Sequence, residues 1–411
     1  MEPAALFIRW DIILPAHTYN IKEERTFAMK SFKLLHRILI LGTFLTISAC
    51  AEAEEPPSIV TSQQAEFHVE TIAHDLNHPW AMQFLPDDGY LISERRGKLW
   101  RITPDGQKIE ITNIPAVYHE GQGGLLDIAL EPEFKDGGWL YFSYAAASTE
   151  NEDHANTEVA RGKLNLRQNR LSDIEVIFKA SPKVEGGNHW GSRLLFAPDG
   201  LLYITLGERF DYKEEAQNPQ NHLGAVVRIT PSGEIPDDNP FTENGKGLSD
   251  IYSYGHRNAQ GIALHPSSNK VWLHEHGPKG GDEINILKSG ANYGWPEVTF
   301  GISYWGLEIS DKTTAPGMED PILQWTPSIA PSGMAFYTGD KFPAWNGDLF
   351  VGALAGKHLR RLELDGEVVM EQEELLKDRN ERIRDVRMGP DGYLYVLTDE
   401  SNGKLLRLEP L

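Results

Sequence analysis

The chain has 411 residues, 40% of them hydrophobic and 24% charged, with 38 Gly and 25 Pro, the composition of a folded, turn-rich protein rather than a disordered or collagen-like one. Its formal net charge of -21 argues against a nucleic-acid partner, because the counterion release that drives such binding needs a basic surface. The one cysteine, Cys50, excludes an internal disulfide and a thiolate metal cluster.

At the N-terminus Lys30, Lys33, His36 and Arg37 precede the apolar run ILILGTFLTISA, residues 38–49. A membrane-spanning helix needs about 20 apolar residues, so this shorter run reads as the core of an export signal. It ends in ISAC, residues 47–50, which resembles the lipobox of bacterial lipoproteins. That resemblance implies an acylated Cys50 as the mature N-terminus; the alternative is a buried cysteine behind an ordinary signal. The expected division is a leader over 1–49, with the signal peptide at 29–49. Residues 1–28, ahead of a second methionine at Met29, are a candidate start-site artefact. The acidic, Pro-containing stretch 50–64 reads as a tether, and 65–411 as the folded domain. The expected location is the periplasmic face of the envelope, on the outer membrane because Ala51 rather than Asp follows the cysteine. Membrane contact is expected through the lipid only.

From about residue 65 an apolar segment, a Pro-Asp-Gly type of turn and an alternating segment recur. The instances are FLPDDGYLIS (84–93), FAPDGLLYIT (196–205), LHPSSNKVWL (264–273), FPAWNGDLFV (342–351) and MGPDGYLYVLT (388–398). A second theme accompanies it in GKLWRITPDG (97–106), GAVVRITPSG (224–233), KHLRRLELDG (357–366) and GKLLRLEP (403–410). Pro presets the turn, Asp or Asn bonds back to the local backbone and Gly accepts positive φ, so each instance predicts a hairpin. Repetition at tens of residues with no helical period between instances predicts an all-β chain, a radial stack of antiparallel sheets or β-propeller. Periodicity alone leaves six or seven blades open.

Six polar loops interrupt the repeat: GQGGLLDIALEPEF (121–134), GGNHWGSRLLFAPDGLLYITLGE (186–208), YGHRNAQGIALHP (254–266), HEHGPKGGDEINILKSGANYGWPEV (274–298), WTPSIAPSGM (325–334) and ERIRDVRMGPDGYLYVLTD (381–399). In order and over about 330 residues they resemble the soluble aldose and glucose/sorbosone dehydrogenases that use pyrroloquinoline quinone (PQQ). The resemblance implies a six-bladed propeller that oxidises aldose sugars to aldonolactones with PQQ and calcium. It implies that His189 is the base that takes the anomeric proton, with hydride passing to the quinone carbonyl. Imidazole suits that role because its unperturbed pKa lies near working pH. Gln122 matches a residue beside the base and substrate, and is expected to contact the cofactor as well.

Arg257, Arg382 and Arg384 match the guanidinium groups that hold PQQ, a flat molecule with three carboxylates, and Asn258 matches a further cofactor contact. The carbonyls of Gly277 and Pro278 match ligands of the cofactor's calcium, a hard ion that takes such oxygens. Asp282, Glu283 and Tyr293 match positions around a second, structural calcium, against the alternative of a solvated acidic loop. The HEH triplet at 274–276 lacks the third ligand and the HExxH spacing of a zinc site. The sequence departs from the family at four cofactor or substrate positions. Asn188 stands for an Asp beside the base, and Ser328 for a Thr. Ala355 stands for a lysine that Lys357 is expected to replace if the strand is regular, and Thr326 for an aromatic at the substrate mouth. The electron acceptor, a quinone or a cytochrome, is not named by the sequence, nor is the choice between monomer and homodimer. Two other readings remain at this point: a calcium-dependent lactonase on a similar propeller, and an envelope propeller that only binds.

Overall fold

The computed structural model describes residues 59–243 and 245–411. The leader, Cys50 and most of the expected tether lie outside the described residues. Among the described residues six antiparallel sheets follow one another along the chain, giving the expected six-bladed β-propeller. The first blade runs from Pro79–Phe84 to Lys108–Glu110, the second from Leu125–Leu130 to Arg170–Lys179, and the third from Leu194–Phe196 to Ile251–Ser253. The fourth runs from Ala259–Leu264 to Leu323–Trp325 and the fifth from Pro331–Phe336 to Val368–Leu375. The sixth joins the two ends of the domain. Ile383–Met388, Leu394–Thr398 and Gly403–Pro410 continue onto Glu66–Leu76, with Val60–Thr61 at the outer edge. The innermost strands touch in chain order around the axis, and the sixth meets the first.

The outer-edge strand corrects the tether boundary. Val60 pairs with Phe67 and Thr61 with Glu66, so the end of the stretch 50–64 is already sheet. Ser62 makes the turn: its amide donates to the Ala65 carbonyl at 2.8 Å and its Oγ accepts the Ala65 amide at 2.8 Å.

The recurrent turns connect the first and second strands of five blades. Gly200 and Gly392 sit at φ 80° and 87°, in the left-handed region that glycine enters without a Cβ clash. In the second blade the corresponding connection is EPEFKDGG, residues 131–138, in which Pro132 stands apart from the Asp-Gly pair and Gly137 makes the turn at φ 88°. Alternate residues of each strand fill the spaces between blades. Trp272, Phe336 and Val351 pack between the fourth and fifth, and Phe67, Trp345 and Leu406 between the fifth and sixth. Each such burial is worth about 1.5–3 kcal/mol.

Two features of the innermost strands position the site. In five of the six, the register slips near the first residue: Pro79/Ala81, Leu125/Ile128, Ala259/Gly261, Pro331/Met334 and Ile383/Asp385. Such bulges re-aim neighbouring side chains, and here they follow His78, Gln122, Asn258, Ala330 and Arg382. On the axis, Arg193 Nη1 lies 2.9 Å from Asp385 and 3.6 Å from Asp127, while Arg387 lies 2.9 Å from each of the same carboxylates. This quartet, buried except for the half-buried Arg387, ties the second, third and sixth blades together.

Candidate active site

His189 ends the loop that leads into the innermost strand of the third blade, and its surroundings fix both its backbone and its ring. Its amide donates to Gln122 Oε1 at 3.0 Å, while the Gln122 amide donates to the Gly187 carbonyl at 2.7 Å. Behind the loop lies the buried guanidinium of Arg209, stacked 3.4 Å from the Trp190 ring centroid. It donates to the carbonyls of Asn188 at 2.9 Å and Ala155 at 2.5 Å, and to that of Gly186. His189, Arg209 and Phe210 all have positive φ, 51°, 68° and 70°. Such backbone strain in non-glycine residues persists where the surroundings over-determine it. Gly207 is required here for another reason: a Cβ on it would lie 2.2 Å from the His189 carbonyl oxygen.

The ring is aimed by Glu208, whose Oε2 lies 2.7 Å from His189 Nδ1 with both side chains buried. Burial and the nearby Arg257 hold the imidazole below its ordinary range, with Glu208 opposing. Burial alone would raise the Glu208 carboxyl, but His189, Arg257 and the Phe210 amide outweigh it and keep the group ionised. An ionised carboxylate only accepts, so Nδ1 carries the proton and Nε2 presents its lone pair. Among the described residues Nε2 has no hydrogen-bond partner. The result is a neutral, oriented imidazole able to accept a proton.

Beside it opens a cleft of about 420 Å³, reached by Gln122, Trp190, Arg382, Arg384 and the unforeseen His78, Trp80 and Arg95. Three arginines here face two carboxylates, Asp399 and Glu400. Arg384 Nη2 lies 2.7 Å from Asp399 and Arg382 Nη2 3.3 Å from it, with His78 Nδ1 at 3.0 Å. Burial would raise the Asp399 carboxyl, but Arg384, His78 and Arg382 hold it well below the usual range. Arg95 has only the Gly121 carbonyl, at 2.9 Å, and burial together with Arg384 and Arg382 lowers its pKa against the pull of Asp399. The Nε atoms of Arg95, Arg384 and Arg257 are buried without a partner among the described residues. Such orphaned donors call for an acceptor, so the cleft can take up an anionic group.

The loop after the second strand of the fourth blade forms the adjoining wall. Buried Arg257 donates to the carbonyls of His276 at 3.0 Å and Gly277 at 2.8 Å. Its amide donates to Glu275 at 2.5 Å. Asp282 is taken up in knitting loops, receiving the Gly277, Ile329 and Ala330 amides at 2.7–3.0 Å and the Ser328 hydroxyl at 2.8 Å. Burial nonetheless pushes its carboxyl up to about 6. Glu283 is different: its one hydrogen bond is from Asn285 Nδ2 at 3.3 Å. Burial, with Glu275, Asp282 and Asp320 adding repulsion, drives it well above the carboxylate range. It borders a small cavity of about 10 Å³ shared with Glu275, Gly281 and Tyr293. The Tyr293 hydroxyl turns away, donating to the Ile286 carbonyl at 2.7 Å, but no hydrogen bond reaches its backbone carbonyl. Among the described residues no group of three or more His, Cys, Asp or Glu side chains converges as a metal site. Any cation here draws on backbone oxygens.

The glucose/sorbosone dehydrogenase family matches residues 76–407. The chain belongs to that family. It is 45% identical to the aldose sugar dehydrogenase YliI of Escherichia coli over 358 residues, covering 86% of this chain and 95% of that one. The crystal structure of the soluble aldose sugar dehydrogenase from E. coli in its apo form superposes with a TM-score of 0.81 at 45% identity, over 84% of this chain and all of that chain. The PQQ-bound aldose sugar dehydrogenase of Streptomyces coelicolor superposes at 0.68 with 29% identity, over 86% of this chain and all of that one. As a glucose/sorbosone dehydrogenase the chain is an oxidoreductase acting on sugar CH–OH groups.

Within this family member the expected residues fall into three groups. Gln122, Arg382 and Arg384 line the cleft, His189 adjoins it through its bond to Gln122 and its neighbour Trp190, and Asn188 lies in the loop behind the base. Arg257, Asn258, Gly277 and Pro278 surround the fourth-blade loop, where Asn258 Oδ1 accepts the Gly191 amide at 3.1 Å and so braces the base. Ser328 and Lys357 stand apart from the cleft lining. Ser328 donates to Asp282, and Lys357 Nζ reaches Asn380 at 3.2 Å. The strand face proposed for Ala355 and Lys357 does not exist. The strand ends at Ala353 and the next begins at His358, leaving Lys357 in a turn at φ 52°. Sequence reasoning missed Glu208, Arg95, His78 and Asp399. Glu208 closes the loop GGNHWGSRLLFAPDGLLYITLGE directly before the positive-φ pair Arg209 and Phe210, and its place in that loop is the one signal the sequence offers for it.

Proposed function

We propose that this dehydrogenase oxidises aldoses at the anomeric carbon to aldonolactones, with PQQ and calcium as its cofactors. The reading rests on one juxtaposition: the neutral, Glu208-oriented imidazole of His189 beside a cleft with unpartnered arginine donors. Arg382, Arg384 and Arg95 are placed to hold carboxylates of PQQ, and Arg257 to hold it from the fourth-blade side. The carbonyls of Gly277 and Pro278 would hold the cofactor's calcium, and Glu283 with the Tyr293 carbonyl would hold the second. Bound in the cleft, PQQ and its calcium would supply an electrophilic quinone carbonyl as the hydride acceptor. The chain's own part is the proton. Nε2 of His189 accepts it from the anomeric hydroxyl, Glu208 balances the imidazolium that forms, and Gln122 keeps the ring's backbone in register. Reoxidation then falls to a quinone or cytochrome, and the active species is a monomer or homodimer.

The test is reconstitution of the purified apo-protein with PQQ and calcium, followed by an aldose panel with an artificial electron acceptor. Turnover that depends on both additions is expected; a protein inert toward every aldose overturns the reading. A lactonase would need side-chain carboxylates converging on its metal, and the described residues offer no such group.

We further propose that the chain is a lipoprotein anchored through Cys50 at the periplasmic face of the outer membrane, on the strength of the charged segment, apolar run and ISAC in that order. A fatty-acid analogue should label the wild type, and equal labelling of Cys50→Ser would sink the idea.

A further inference from the structure

A second imidazole stands at the cleft, on the side made by the first and sixth blades. His78 lines it, and like His189 it pairs one ring nitrogen with a buried carboxylate, Nδ1 lying 3.0 Å from Asp399 Oδ1. Its backbone is held as firmly. The His78 amide donates to the Glu400 carbonyl at 2.8 Å, its carbonyl accepts the Arg95 amide at 3.3 Å, and its φ is 47°. Asp399 is kept ionised against its burial by Arg384, His78 and Arg382, so Nδ1 carries a proton and Nε2 is the atom left over. Among the described residues Nε2 has no hydrogen-bond partner.

The two pairs differ in exposure. Both members of the His189 pair are buried, whereas the His78 side chain is 35% exposed with buried Asp399 behind it. Water can therefore deliver a proton to His78. Asp399 also stands in the way of an incoming anion, because it already takes Nη2 of Arg384 at 2.7 Å and Nη2 of Arg382 at 3.3 Å. A carboxylate entering the cleft competes with it for those donors, and Glu400 adds repulsion. Protonation of His78 answers both, since the cation balances Asp399 through Nδ1 and offers an Nε2 proton to the newcomer. An anion nearby in turn favours the charged imidazole. Two further titratable groups near His78 are otherwise occupied. Glu94 accepts the Asn77 amide at 2.8 Å and Lys108 at 3.2 Å, and burial with Arg95 and Arg96 holds His119 below its ordinary range.

We propose that His78 is a further cofactor-binding residue, which takes up a proton when PQQ binds and, as imidazolium, holds one of its carboxylates beside Arg382 and Arg384. This rests on the PQQ reading above. Because the loaded protein binds that proton more tightly, PQQ affinity is greatest on the acid side and falls as pH rises through the imidazole range.

Calorimetric titration of the apo-protein with PQQ at saturating calcium, repeated in buffers of different ionisation enthalpy, counts the protons exchanged. Near neutral pH the wild type should take up about half a proton, and its PQQ affinity should fall about three- to tenfold between about pH 6 and 8. His78→Gln should lose this uptake and keep the weaker affinity throughout. His78→Lys, a fixed cation, should also lose the uptake but keep the tighter affinity at the alkaline end. His189→Gln should take up protons as the wild type does, which separates the two imidazoles. Uptake unchanged in His78→Gln overturns the inference and leaves the cofactor reading intact. Loss of binding in both His78 variants makes the residue a support for Asp399 only and overturns it too. A wild type that binds no PQQ overturns the cofactor reading and this inference with it.

Discussion

Nδ1 of His189 and Oε2 of Glu208 lie 2.7 Å apart in a buried pair, and this contact decides which ring nitrogen is free. Glu208→Ala removes the group that selects the tautomer, so kcat should fall at least about tenfold, as when the carboxylate behind a catalytic histidine is lost. The pH profile carries the sharper sign. Glu208 opposes the lowering of the His189 pKa, so without it the imidazole protonates at lower pH and the acid limb moves down. A kcat loss with an unmoved acid limb would make Glu208 structural only.

His189→Gln should keep PQQ and lose turnover. Glutamine can hydrogen-bond a hydroxyl but cannot carry its proton, so a loss of about 10²- to 10⁴-fold is expected in the rate with sugar. PQQ titration followed by absorbance should be nearly unchanged. Because burial lowers the imidazole, the wild-type rate should fall on acidification with its midpoint below about 6.5, the unperturbed value. Retention of more than about a tenth of the activity would require another base.

Arg384→Ala should weaken PQQ binding about ten- to hundredfold, the loss of a charge-assisted hydrogen bond worth about 1.5–3 kcal/mol. The variant should fold, since Arg382 and His78 still flank Asp399. Titration of the apo-protein with PQQ at fixed calcium checks this, and an unchanged affinity removes Arg384 from the cradle.

Calcium should raise the melting temperature of the apo-protein, and Glu283→Gln should abolish most of that rise. Burial, with Glu275, Asp282 and Asp320 adding repulsion, drives the wild-type carboxyl well above the carboxylate range, and its side chain has one hydrogen bond among the described residues, so a bound cation stabilises an ionised form that the amide cannot adopt. Calorimetry with and without chelator reads the difference. An equal calcium shift in both proteins places the ion elsewhere.

Asp385→Ala should destabilise the fold by about 3–5 kcal/mol, because it strands Arg193 and Arg387 on the axis. Denaturant titration measures the loss, and a change below about 1 kcal/mol would mean that Asp127 alone satisfies both guanidinium groups.

The blades were legible wherever the turn chemistry was local. Pro-Asp-Gly marks the first hairpin of the third and sixth blades, whereas in the second blade EPEFKDGG sets Pro132 four residues ahead of the pair Asp136 and Gly137 and so breaks up the motif. The base and the paired arginines were legible because they sit in Gly-rich or alternating loops at the entry to innermost strands. Glu208 and Asp399 were not, since their partners are 19 and 15 or more residues away and only the closed ring brings them together. Lys357 was misplaced because nothing in AGKHL marks where one strand stops and the next begins. The expected tether runs too far because polar SQQ hides the turn between the two-residue strand Val60–Thr61 and the eleven-residue strand Glu66–Leu76.

The sixth blade has a consequence for how the protein comes into being. Glu66–Leu76 finds its partner in Gly403–Pro410, almost the whole chain later, so the last contact made is also the one of greatest loop length. Closing it is opposed by the entropy of the entire intervening chain. Until the final strand emerges, the growing polypeptide presents two open sheet edges, each a template for pairing with another copy. Loss of residues 403–411 would leave an aggregation-prone arc in place of a ring.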